Sequence, residues 1–110
     1  MKVWQRSHSL TLKIYLLTKH FPKDEAFGLT SQLRRAASSI PANFAQGCGR
    51  EGDPELKRFL NIALGSPCEV DYFLLLAAEL GYIQRDAPAF ASEILAIRRM
   101  LGSFIQKLKA

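Results

Sequence analysis

Cysteine and histidine are scarce in this chain, with two of each, and it has a single tryptophan among 110 residues. Cys48 and Cys68 have neither CxxC spacing nor a neighbouring histidine, so they read as idle thiols in a reducing compartment, not as a disulfide or a metal site. His8 and His20 fall on one predicted helix, about a third of a turn apart around its axis, and read as surface residues. Glu69 and Asp71 are two positions apart and cannot share a helix face. No repeated Glu-x-x-His pattern is present, which excludes the di-iron bundles. The turn Gly47-Cys48-Gly49-Arg50-Glu51-Gly52 is rich in glycine, but it follows no strand and lacks the Lys-Ser/Thr pair of a phosphate-binding loop, so it reads as a connector. Long apolar runs are also missing. The longest, Tyr72 to Ala78, is far shorter than the roughly 20 residues that cross a bilayer. The amino terminus has no apolar stretch of the kind found in a secretory leader. These absences lead us to expect no catalysis, no metal, no cofactor, no membrane contact and a cytoplasmic location.

What remains is a helical chain with a one-sided charge. Residues 1–58 carry ten Lys/Arg against five Asp/Glu, and residues 59–110 carry five of each, so the whole net charge of +5 lies in the first half. Such a half suits an anionic partner, whether nucleic acid or an acidic protein, or it serves only as a solvated surface.

Four segments show helical rhythm and none alternates as a strand would. The first runs from Val3 to His20, with Val3, Leu10, Ile14, Leu17 and Phe21 on one face, and Pro22 ends it. Leu12, Tyr15 and Leu16 lie toward the opposite face. A surface helix of a monomer has one apolar stripe, so the second points to another subunit or to a covering loop. The second helix starts near Asp24 and passes through Leu29, Leu33, Ala37, Ile40 and Phe44 to Gly47 and Gly49. The third opens on Asp53-Pro54-Glu55, a capping aspartate followed by a proline at the first helical position. It spans about 27 residues, roughly 40 Å at about 1.5 Å each, and stops at Gly81. Its turn Tyr72 to Leu76 is apolar all round and is expected to be buried on every side. The fourth follows Asp86 with Phe90, Ile94, Ile97, Leu101, Phe104 and Leu108. One domain, residues 1–110, is expected: an all-α, antiparallel up-and-down four-helix bundle.

Two prolines interrupt this reading. Pro41 sits inside SSIPANFAQG and frees the carbonyl of Ala37, yet Ile40 and Phe44 keep the core rhythm. A kink is expected there, with Ser38 and Ser39 satisfying freed carbonyls. Ser66-Pro67-Cys68-Glu69 fits a capping box, which would start a new helix, but the apolar face keeps its phase from Leu56 to Ala77, which favours one bent helix. Beside the apolar stripe of the second helix runs a polar one: Gln32, Arg35, Ser39, Asn43, Gln46 and Arg50. It reads either as a structural network or as a phosphate-contacting surface. Arg34, Arg50, Lys57 and Arg58 read as a basic cluster around the junction of helices two and three. Arg34, Ser38, Ala42 and Ala45, on the other side, leave room for close approach.

Several of these residues resemble a family of four-helix bundle proteins first described from intervening sequences of bacterial large-subunit ribosomal RNA genes. The marks are Ile14-Tyr15, Leu17-Thr18, Phe21-Pro22, Phe27-Gly28-Leu29 and Gln32 to Ala37. The most specific is Ser39-Ile40-Pro41-Ala42-Asn43-Phe44-Ala45-Gln46-Gly47 with Gly49-Arg50. Phe59-Leu60, Ile62-Ala63, Gly65-Ser66 and Glu69 follow. Phe44 and Gln46 stand where the family has Ile and Glu, and Pro67 where it has an ordinary helix former. The resemblance implies a kinked second helix and a ring-like homo-oligomer, a pentamer, and it extends to the basic accessory proteins of diversity-generating retroelements. Together these readings lead us to expect a non-enzymatic homo-oligomer that binds RNA through its backbone, with Arg34, Arg35, Asn43, Gln46, Arg50, Lys57 and Arg58 as contacts. Leu12, Tyr15, Leu16, Ser39 and Ala42 are the expected subunit interface. The alternative is a scaffold that docks an acidic protein or a polymerase-type enzyme.

Overall fold

The computed structural model of the chain describes residues 2–48, 53–83 and 87–108. Four helices account for most of them: α1 (Lys2–Thr18), α2 (Leu29–Cys48), α3 (Asp53–Glu79) and α4 (Ala87–Lys107). No strand occurs among the described residues. Each helix contributes one apolar face to a common core. Leu10 and Ile14 come from α1, and Leu33, Ala37, Ile40 and Phe44 from α2. Leu60, Ala63, Val70 and Leu74 come from α3, and Ile94, Ile97 and Leu101 from α4. The helices pack in cyclic order, α2 most extensively against α3 and α1 least against α4. This is the packing of a four-helix bundle. Its longest dimension of 46 Å is close to the length of α3.

α1 is shorter than its rhythm suggests, ending at Thr18 because Phe21 turns back to bond the Thr18 carbonyl just before Pro22. α2 begins at Leu29, not near Asp24. Pro22 directs Lys23–Glu25 into a separate 3-10 turn, and the residue that caps α2 is Glu25. One of its carboxylate oxygens accepts the Leu29 amide at 3.0 Å. The other accepts the Tyr82 hydroxyl at 2.8 Å, which ties the turn to the end of α3. Phe21 packs against the Tyr82 ring in the same corner. Both donors favour the ionised carboxylate, the Leu29 amide most, so the Glu25 pKa lies below its usual range and that of Tyr82 above its own.

α3 runs unbroken through Pro67, so Ser66 starts no new helix. Its stop is the one foreseen. Gly81 takes a φ of +81°, the Tyr82 amide reaches back to Ala77 and the Gly81 amide to Ala78, a Schellman closure. α3 is long and apolar enough by composition to cross a membrane, but Leu60, Ala63, Val70, Leu74 and Ala77 are buried in the core that it shares with α2 and α4. The turn from Tyr72 to Leu76 is not buried on every side. Tyr72 and Leu75 stay exposed, because α3 has neighbours on two sides only. The Asp86 cap lies outside the described residues.

The Ala37 carbonyl freed by Pro41 finds a partner that the sequence reading missed. Thr11 of α1 shares its one hydroxyl proton between the Ser7 carbonyl at 2.8 Å and the Ala37 carbonyl at 3.1 Å. Ser38 instead bonds Arg34 and Arg35 carbonyls one turn earlier, and Ser39 turns toward α3. Ser7, Thr11 and Thr18 form a buried line of small hydroxyl residues along the α2-facing side of α1. Each bonds a carbonyl of its own helix, so none carries an unpaired hydroxyl into the core.

Candidate nucleic-acid and subunit interfaces

The outward side of α1 is apolar where solvent would favour polar residues. Trp4, His8, Leu12 and Leu16 repeat every four residues and therefore form one row. Leu12 is 54% and Leu16 60% exposed, and Tyr15 stands half-open beside them. The Trp4 and His8 rings stack at 4.9 Å. This stacking occupies His8 as part of an aromatic surface. Phe27, in the turn before α2, is 98% exposed and adds a further apolar side chain outside the core.

The other two expected interface residues lie elsewhere. Ser39 belongs to the seam between α2 and α3, where its hydroxyl meets that of Ser66 at 2.8 Å. Asn43 donates its amide to the Ser39 carbonyl and hydroxyl. Ala42 is exposed on the far side of α2. Small residues bring these helices close. A Cβ on Gly47 would lie 3.0 Å from Leu56 and 3.1 Å from Phe59. Along α2 from Ser39 to Gly47, the partners on α3 fall from Ser66 to Leu56 and Phe59.

The basic residues divide into three settings. Arg34 is not at the junction of α2 and α3. It lies some fourteen residues from the end of α2, roughly 20 Å along the axis, against the last turn of α1. Its Nε donates to the Thr18 hydroxyl at 2.8 Å, its Nη2 to the Tyr15 carbonyl, and its guanidinium covers the Tyr15 ring at 4.5 Å. A cation at a helix C-terminus also suits the local dipole, so Arg34 joins α1 to α2. Arg35 points outward into a polar groove of about 440 Å³ that it lines with Gln32, Ser39 and Glu69. Arg58 is exposed beside the Phe59 ring, loosely paired with Glu55 at 3.5 Å, and Lys57 is half-buried on the same turn. Gln46 is exposed near this end. Arg50 lies outside the described residues.

The polar stripe of α2 therefore divides. Asn43 and Ser39 form a structural network, whereas Gln32, Arg35 and Gln46 face outward. Among the described residues no group of His, Cys, Asp or Glu is arranged to hold a metal ion. The shifted pair Glu25 and Tyr82 has the geometry of a helix cap.

Comparison with known proteins agrees with this architecture. Residues 1–103 match the family described as 23S rRNA-intervening sequence protein. The chain is also similar to a protein of unknown function from the S23 ribosomal protein family of Bacteroides thetaiotaomicron. That crystal structure superposes with a TM-score of 0.82 at 25% identity, covering 94% of this chain and 97% of the other. No curated protein sequence matches the chain.

Proposed function

The chain belongs to the 23S rRNA-intervening sequence protein family, and from that premise we propose that it is a non-enzymatic, homo-oligomeric RNA-binding bundle. One observation carries the reading: the outward row of α1, with Leu12, Tyr15 and Leu16 exposed, is apolar where a solitary bundle would be polar. Burying such side chains between copies contributes about 1.5–3 kcal/mol for each large one fully covered. Association then pools the +5 charge of each subunit on one particle, a pentameric ring in the form the family resemblance implies. Weak backbone contacts gain avidity from such repetition. Arg35, Lys57, Arg58 and Gln46 are the contacts we assign to RNA, with Arg50 assigned from the sequence alone. Arg34 holds α1 to α2, and Asn43 holds the α2/α3 seam. None of these groups is set up to read bases, so binding is backbone-dominated and falls with salt.

Titration of a labelled single-stranded RNA at several salt concentrations tests this. Wild-type protein should bind at low salt and weaken steeply. Lys57→Glu with Arg58→Glu should lower the salt slope by about one to two, since each lost single-strand phosphate contact removes about 0.7. Absence of RNA binding at low salt would overturn the reading.

A further inference from the structure

The seam between α1 and α4 carries a feature that RNA binding does not use. These helices touch least of all neighbouring pairs. Between the first turn of α1 and the last turns of α4 they leave an open groove of about 430 Å³. Its floor is apolar: Val3, Met100 and Phe104, the last held edge-on by the Phe44 ring at 5.5 Å. Its rim is cationic: Lys2, Arg99 and Lys107. No carboxylate lines the groove, and none of the three cations is ion-paired among the described residues.

An occupant must match both features. A phosphate backbone would satisfy the rim and leave the floor bare. A single-headed amphiphile would satisfy the floor but bring one anion to cations spread along α4. Arg99 and Lys107 are eight residues apart, about 12 Å along the helix. A second copy of this chain is assigned to the outward row of Leu12 and Leu16, on the opposite side of α1 from Val3. An amphipathic helix with apolar anchors on one face and carboxylates flanking them fits floor and rim together. We infer that the α1/α4 groove docks an acidic amphipathic helix of a protein partner. Its apolar side chains lie on Val3, Met100 and Phe104, and its carboxylates meet Arg99 at one end and Lys2 and Lys107 at the other. This inference stands apart from the RNA reading and uses a different face.

The test uses the full-length protein and a fluorescein-labelled probe of about 16 residues, roughly 24 Å of helix, built from Leu, Ala and Glu with Leu on one face. Its control has every Glu replaced by Lys. Fluorescence anisotropy should show the acidic probe binding at least about tenfold tighter than the control. Arg99→Glu with Lys107→Glu should invert that preference. Ser103→Trp, which fills the groove from an exposed position, should weaken the acidic probe at least about tenfold with circular dichroism and particle mass unchanged. Equal binding of the two probes would overturn the inference, as would acidic-probe binding indifferent to both variants. A fall in particle mass on Ser103→Trp would also overturn it, because a second copy would then be the occupant.

Discussion

The α2/α3 seam and the α1/α4 seam are built from the same alphabet and behave oppositely. Between α2 and α3, Gly47 lies against Leu56 and Phe59, Pro41 and Pro67 are buried, and the hydroxyls of Ser39 and Ser66 meet. Small side chains let two backbones approach, and the polar atoms that come with them are paired. Between α1 and α4 the lining side chains include Met100, Phe104, Leu10 and Phe90, and the helices touch least. Grooves open at both ends of that seam, one floored by Val3, Met100 and Phe104 and the other lined by Leu10 and Phe90. Closeness serves stability in one seam, and distance leaves apolar surface for recognition in the other.

Overfilling the tight seam should have the largest effect. Gly47→Leu forces side-chain volume onto Leu56 and Phe59, and overpacking of this kind costs about 1–3 kcal/mol, read as a lower urea midpoint. Gly47→Ala should do the same on a smaller scale. Gly102→Ala makes the contrast sharper, because Gly102 lines the open groove between α3 and α4, where a Cβ meets nothing within 4 Å. In a helix interior with open space it should stabilise by about 0.5–1 kcal/mol. The same chemical change thus has opposite signs at two sites, and equal signs would mean that the α2/α3 seam is not tight at Gly47.

Thr11→Val strips the Ala37 carbonyl of its partner and should cost about 1–3 kcal/mol. Pro41→Ala restores an amide at that position, so in its background Thr11→Val should cost less. A double-mutant cycle in urea reads the coupling, and strict additivity would show that Thr11 does not act through that carbonyl.

The smallest effect belongs to Glu25, at the end of the bundle away from Pro41 and Pro67. Its folded pKa is depressed by the Leu29 amide and then by the Tyr82 hydroxyl. Its contribution is therefore complete above the usual carboxylate range and is lost as pH falls through the depressed value. Glu25→Gln should melt lower than wild type at neutral pH, and the two should converge in acid. A constant gap across that range would sever the link between cap and charge.

Much of this architecture was legible beforehand. The rhythm of Ile94, Ile97 and Leu101 placed the α4 face, and Asp53 and Gly81 bracketed α3. What escaped has physical causes. Ser7, Thr11 and Thr18 count as polar in any hydropathy pattern, yet each satisfies itself on a helix carbonyl and so can be buried. Their spacing of four and seven residues was the available signal. Asp24 looked like a cap, but Pro22 fixed a separate turn and left capping to Glu25. Tyr72 and Leu75 looked like core because composition does not count neighbours. Arg34 was grouped with Lys57 and Arg58 by charge, although the helical rise alone separates them. The outward row of Leu12, Tyr15 and Leu16 was legible because a second stripe on one helix has no use inside a single bundle.

The particle mass in solution decides the most. Light scattering coupled to size exclusion at micromolar concentration should give several subunits for the wild type. Leu12→Glu with Leu16→Glu should give folded single chains of 12.3 kDa with an unchanged helical spectrum. A wild-type chain that elutes as a monomer would contradict the account, as would a double variant that keeps the full assembly.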